Sequence, residues 1–469
     1  MLFNSLQFLV FFVIVTLLYF SVPRKLTVPL LLAASVYFYM VFKPVYILIL
    51  LFTIIIDYIA GIYLERLSGR KKQLFLLMSL IANIGVLAFF KYFNFFNHNL
   101  DALLGRFNSG TPFPYLQLLL PIGLSFHTFQ AMSYTIEVYR GNQKAEKNFL
   151  VYSLYVMFYP QLVAGPIERP QNMLHQFHET HTFDARRFRE GLLRMGLGFF
   201  KKVVIADRLS IAVDYAFAHP EHQDSRTYAL AALFYSFQIY CDFSGYSDIA
   251  IGSAQIMGFD LMQNFRSPYL SRSIPEFWTR WHISLSTWFR DYLYIPLGGN
   301  KVKAGRYCFN IFIVFLLSGL WHGANWTFII WGLIHAFYMI VTYLKIQAIR
   351  KWKIVLPRTR LTDLLRMAVT FLLVTIAWVF FRAASFHQAT GILGTIFSFS
   401  ALNSAQFGLN GAETVFSFLL IAGLLLGEYY RPAIRIRTGW AVGVSIILLV
   451  ISCYLFGVFR QVQFIYFQF

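Results

Sequence analysis

The chain has 469 residues, of which 58% are hydrophobic and only 13% charged, and a mean hydropathy of +0.58. Soluble proteins carry about 25% charged residues, so a soluble globular protein is excluded and a polytopic membrane protein is expected. The net charge of +19 would suggest a nucleic-acid partner in a soluble protein. Here the basic residues cluster in short loops, as the positive-inside rule requires, and no nucleic acid is expected.

The opening stretch, "MLFNSLQFLVFFVIVTLLYFSV", lacks the basic start of a removable signal peptide. Its first basic residues, Arg24 and Lys25, follow the apolar run. A retained helix with its N-terminus outside is expected. Apolar stretches near the spanning length of about 20 residues fall at 6–22, 26–42, 46–64, 73–90, 229–258, 308–343, 364–381, 413–429 and 438–458. Shorter or interrupted ones lie at 115–135, 149–165 and 203–218, and the 308–343 run holds two passes broken near "HGANW". The fold class is therefore all-α, with about eleven transmembrane helices plus re-entrant and interfacial helices in one domain spanning 1–469. The basic segments 23–25, 65–72, 345–360 and 431–437 are expected on the cytoplasmic side, which leaves both termini extracytoplasmic.

Polar residues interrupt this apolar background in chain order. "PIGLSFHTFQAMSYTIEVYRG" (121–141) carries His127, Gln130, Tyr134 and Glu137. "MFYPQLVAGPIERP" (157–170) sets Gln161, Glu168 and Arg169 beside two prolines. "HQFHETH" places His175, His178 and His181 at a spacing that could bind a metal, but without a fourth partner no metal site is expected. "GLGFFKKVVIADRL" (196–209) has no Walker spacing; Lys201 and Lys202 read as interfacial anchors, and contact with a donor's phosphates is the alternative. "FQIYCDFSGYSDIAIG" (237–252) puts Asp242, Ser244, Tyr246 and Asp248 inside an apolar run. Broken helices with buried polar groups line cavities. The three cysteines, Cys241, Cys308 and Cys453, form no metal or redox motif and read as small core residues.

The block "IPEFWTRWHISLSTWFRDYLYIPLGGNK" (274–301) is expected to be a helix lying at the cytoplasmic interface. Arg272, Arg280, Arg290, Lys301 and Lys303 flank it as a basic mouth for a phosphate-bearing donor. His282 within the block asks for a further role. "SGLWHGANW" (318–326) holds His322 between small residues, which should leave room for a substrate, with Asn325 near enough to orient the ring or bind an oxyanion. A charged side chain at the bilayer centre costs about 2.5–3.5 kcal/mol. Histidine avoids this by staying neutral, and a neutral imidazole is a general base. A hydrogen-bonded core histidine is the competing reading.

Taken together, "SFHTFQAMSYTIEVYRG", "GPIERP", "DFSGYSDIAIG", "WTRWHISLSTWFRDYLYIPLGG" and "LSGLWHGANWTFIIWG" resemble the membrane-bound O-acyltransferase (MBOAT) family, in its alginate O-acetyltransferase-like branch. The resemblance implies a many-helix fold around a central funnel. His322 would be the catalytic histidine and His282 the second polar residue of the family pair. It further implies a cytoplasmic thioester donor, acetyl-CoA, with no bound cofactor. An acceptor hydroxyl on the opposite face and an extracytoplasmic partner of esterase fold complete the expectation. Asn325, Asp242, Tyr246, Trp321, Gln130 and Arg280 are the candidate substrate-binding residues. The tail "FIYFQF" (464–469) resembles the family's F-x-Y-x-x-F motif, with Tyr466 as acyl carrier; plain aromatic anchoring at the interface is the alternative. No G-x-S-x-G elbow supports a serine nucleophile.

The expected function is O-acetylation of an envelope or secreted polysaccharide such as alginate, by a multi-pass protein of a bacterial inner membrane. Peptidoglycan O-acetylation and teichoic acid D-alanylation are alternatives of the same class. A transporter or flippase would share the broken helices, but it should show a repeated pair of interrupted helices, and none is found.

Overall fold

A computed structural model of the chain describes residues 1–107, 110–116, 120–163, 165–220, 223–353, 359–401, 406–430, 439–459 and 464–467. The chain divides into two compact units, Met1–Met195 with Tyr246–Met262, and Gly196–Gly245 with Gln263–Phe469. All regular structure among the described residues is helical.

The first unit opens with α1 (Leu6–Ser21), whose N-cap Ser5 accepts a hydrogen bond from the Phe8 amide, satisfying a donor the helix cannot satisfy itself. It continues through α2 (Arg24–Met40), α3 (Ile47–Arg66), α4 (Gly69–Leu104) and α5 (Leu124–Arg140). The short helices α6 (Phe149–Met157), α7 (Tyr159–Leu162) and α8 (Pro170–His178) follow, and α9 (Ala185–Phe199) leaves the unit after Met195. A buried polar knot ties α3, α4 and α5 together. Ser79 donates to Asp57 Oδ1 at 2.6 Å, and Asn83 Nδ2 reaches both Asp57 oxygens at 3.0 and 2.8 Å. Ser79 Oγ also lies 3.0 Å from Thr135 Oγ1. Away from water every such group needs a partner within the protein, so the knot fixes the register of three helices at once.

The second unit takes up the end of α9 from Gly196, and a π-helical turn, Phe200–Ala206, then runs into α10 (Asp207–Ala218). The helix α11 (Ser225–Ile256) belongs to this unit up to Gly245. After α12 (Ile274–Trp278) and α13 (Ile283–Phe289) come α14 (Ala304–His322), α15 (Trp326–Lys351), α16 (Arg360–Arg382), α17 (Phe386–Ser398), α18 (Gly411–Tyr430) and α19 (Gly439–Phe456). Its core is aromatic, built on the fully buried Trp281, Trp331 and Trp378.

Eleven of the described helices have 16 residues or more, close to the expected apolar stretches. Seven are long and apolar enough to cross a membrane: α3 and α4 in the first unit and α14, α15, α16, α18 and α19 in the second. The 308–343 run breaks where expected. Gly323 is extended (φ −166°, ψ 154°), and Asn325 N-caps the next helix by accepting from the Thr327 amide. The block 274–301 is not a single interfacial helix, however. It is interrupted at His282, which adopts a left-handed conformation (φ 41°, ψ 56°) between α12 and α13.

Candidate active site

His322 ends α14 and is buried in the second unit. The α14–α15 turn brings Trp331 back against it, with ring centroids 4.9 Å apart. Trp321 lies 5.0 Å and Phe381 of α16 5.2 Å from the same imidazole. This close packing depends on glycine. A Cβ on Gly319 would run into the Phe328 carbonyl and one on Gly332 into the Phe315 carbonyl. A Cβ on Gly323 would meet the Phe328 ring. The small residues around His322 therefore admit the neighbouring helix; the expectation that they leave space for a substrate is corrected.

His282 enters from a different segment. Residues 264–266 pair with 280–283: Arg266 N donates to the Arg280 carbonyl at 3.0 Å and Ile283 N to the Asn264 carbonyl at 2.9 Å. Ser284 closes the pairing onto Asn264 Oδ1 at 2.6 Å. This clamp holds His282 in the left-handed region, which is costly for a residue with a side chain and tends to mark functional sites. Its ring packs edge-on to Phe243 at 4.6 Å and lies 6.2 Å from Trp321. Burial pushes the imidazole down to about 3, so it is neutral at physiological pH.

The tail completes the cluster. Residues 465–467 form a short 3₁₀ turn. The Tyr466 ring lies 5.6 Å from His322, 6.2 Å from His282 and 4.5 Å from Phe243. Phe464 is fully buried and stacks on Tyr466 at 5.5 Å. Phe469, the last position of the expected motif, lies outside the described residues, as does 431–437. His282, His322, Trp321 and Tyr466, separated by up to 184 residues of chain, thus share one aromatic pocket. Two buried imidazoles beside a phenol are placed to take a proton from a hydroxyl.

The other candidates are bound to partners of their own. Asp242 accepts from the Ile465 amide at 2.8 Å and pairs with Lys202 Nζ at 2.7 Å, so it holds the tail. Asn325 is occupied at both ends, accepting from Thr327 N and donating to the Ala384 carbonyl at 3.0 Å. Its amide is a helix cap and not a group aimed at His322. Arg280 is bound to Glu276 at 2.6 Å, Arg272 to Asp363 at 3.2 Å and Arg290 to Asp291 at 2.8 Å. The arginines of the expected basic mouth therefore face carboxylates. Tyr246 and Gln130 belong to the first unit, where Tyr246 donates to Asn4 at 3.1 Å and Gln130 to the Tyr155 carbonyl. Lys202 is buried in an ion-pair cluster, so its reading as an interfacial anchor is corrected. His178 bonds Glu146 at 2.7 Å, whereas His175 and His181 reach the Gln171 and Gln176 carbonyls.

Two groups escaped the sequence reading. Phe243 packs against His282 at 4.6 Å, Tyr466 at 4.5 Å and Phe464 at 5.5 Å, yet it is one phenylalanine among 52. His335, one helical stretch after His322, is fully buried between Trp278 at 4.9 Å and Trp331 at 5.0 Å. Its signal was present: it is a second histidine in the run that holds His322.

The MBOAT family model, described as the membrane-bound O-acyltransferase family, matches residues 72–386. The protein named probable alginate O-acetylase AlgI from Pseudomonas putida is 41% identical over 445 residues, covering 92% of this chain and 89% of that protein. The peptidoglycan O-acetyltransferase of Helicobacter pylori is 36% identical over 410 residues, covering 82% and 74%. A teichoic acid D-alanyltransferase of Bacillus subtilis is 29% identical over 284 residues, covering 59% and 72%. With the family model matched over residues 72–386 and a relative 41% identical over 92% of its length, this chain belongs to the membrane-bound O-acyltransferase family and is an O-acyltransferase.

Proposed function

We propose that the protein takes acetyl from a cytoplasmic thioester, acetyl-CoA, and passes it through Tyr466 for O-acetylation of an envelope or secreted polysaccharide such as alginate. The observation that carries this reading is the Tyr466 ring, 5.6 Å from His322 in a buried pocket. His322 takes the phenolic proton as the oxygen attacks the thioester carbonyl. The C–S bond breaks, a C–O bond forms, and the thiolate leaves with the proton from His322. A phenol ionises near pH 10, so it needs such a base at neutral pH. His282, its ring 6.2 Å from that of Tyr466, positions donor or acceptor. The apolar pocket keeps water from hydrolysing the thioester.

The basic loops favour cytoplasmic positions for 65–72 and 345–360, which puts the tail on the far side of the inner membrane. A separate extracytoplasmic acetyltransferase of esterase fold would then move the acetyl group to the polymer. The test is to incubate the purified full chain with radiolabelled acetyl-CoA and digest it. The C-terminal peptide should be heavier by one acetyl group in the wild type and unlabelled in Tyr466→Phe. Labelling of that peptide by a D-alanyl carrier protein, and not by acetyl-CoA, would overturn the donor assignment.

A further inference from the structure

The buried cations and anions of the second unit converge on the tail. Lys202 Nζ lies 2.7 Å from Asp207 Oδ1 and 2.7 Å from Asp242 Oδ1, and the three side chains are 1%, 2% and 5% exposed. A buried ion pair is expensive, and its best-attested use is to fix register and not to add stability. Here the register is visible. Asp207 N donates to the Lys202 carbonyl five residues back, the signature of the π turn Phe200–Ala206. Such turns concentrate at functional sites. Lys202 engages one oxygen of Asp242, and the other accepts the Ile465 amide at 2.8 Å. The next residue on α11, Phe243, packs against Tyr466 at 4.5 Å. The same π turn also receives the chain leaving α19, because Val458 N donates to the Val203 carbonyl at 2.8 Å. Beside it, Arg208 bonds the Phe456 carbonyl at 2.9 Å.

We infer that Lys202 and Asp242 are positioning residues that grip the tail by its backbone and so set the Tyr466 hydroxyl at His322. This rests on the acyl-accepting role proposed for Tyr466. The grip on a main-chain amide fixes where residue 465 lies without touching the tyrosine, so the phenol stays available for chemistry. Lys202 orients the Asp242 carboxylate in turn.

The test uses the purified full chain in detergent, with two readouts. Carboxypeptidase trimming reports whether the tail is held, and steady-state kinetics report acetyl transfer. Lys202→Met should speed trimming by about tenfold, because the local hold is gone. It should lower kcat by about 10²-fold, the cost of a misplacement near 1 Å, while KM for acetyl-CoA stays at its wild-type value. The double variant Lys202→Met/Asp242→Asn restores a neutral acceptor for the Ile465 amide and should recover slow trimming and most of kcat. A folded Lys202→Met protein trimmed as slowly as wild type would overturn the inference, and so would a freed tail with undiminished kcat. Should Lys202→Met alone fail to fold, the double variant decides: slow trimming with near-normal kcat supports the grip, and fast trimming overturns it. Tyr466→Phe is run alongside. Full activity there would sink the acyl-acceptor reading, whereas the trimming contrast still scores the grip on its own.

Discussion

Replacing His322 by alanine removes a general base and, at the same time, a packed ring. As a base the imidazole is worth about 10²–10⁴-fold, which at about 1.36 kcal/mol per decade corresponds to about 2.7–5.4 kcal/mol of barrier. As a ring it contacts Trp331, Trp321 and Phe381 at 4.9, 5.0 and 5.2 Å. At about 0.5–1.5 kcal/mol per aromatic pair, those contacts total about 1.5–4.5 kcal/mol of stability. The two losses are of similar size, so a raw activity drop would not separate them. The assay is therefore turnover per folded molecule, with the folded fraction read from thermal unfolding in the same detergent. We expect His322→Ala to unfold at a lower temperature yet remain folded when cool, and to transfer acetyl at least about 10²-fold more slowly per folded molecule. Free imidazole, small enough to enter an apolar cavity of ring size, should restore part of the rate. Wild-type turnover per folded molecule would refute the reasoning and leave His322 a core residue.

Three further outcomes are expected. Tyr466→Phe keeps the ring contacts to Phe243 and Phe464 and should unfold at the wild-type temperature, yet leave the polymer unacetylated in a cell-based assay. Gly332→Val forces side-chain atoms against the Phe315 carbonyl and should cost about 1–3 kcal/mol by overpacking, read as a lower melting temperature together with lost transfer. Asp57→Leu strands Ser79 and Asn83 in the α3–α4–α5 knot and should cost about 1–3 kcal/mol; Asp57→Asn should cost less, and a Leu variant as stable as wild type would refute the role assigned to the knot.

The helices were readable because hydropathy alone reports them, and the α14–α15 break was readable because Gly323 and Asn325 are an end signal and a cap. His322 stood out for the same reason: a polar ring in an apolar run. What could not be read was which distant residues meet. Asp242 was singled out as polar, but its partners are Lys202, 40 residues earlier, and Ile465, 223 residues later. No local pattern carries that information. The glycines around His322 were misjudged because a missing side chain looks alike whether it leaves a void or admits a helix. The left-handed turn at His282 was invisible because nothing in "TRWHIS" breaks a helical pattern; the cause lies in the pairing with 264–266.

That turn has a consequence for how the protein could be engineered. Glycine and asparagine accept the left-handed conformation more readily than histidine does, by about 1–2 kcal/mol for glycine, which offsets the lost ring contact with Phe243. A library at position 282 ranked by melting temperature should therefore pass Gly and Asn as near-neutral while rejecting Val and Ile, whose branched side chains resist positive φ. The same library ranked by acetyl transfer should keep histidine. Histidine at residue 282 would not be selected by a stability screen but would be kept by a functional one, whereas at residue 322 both would keep it.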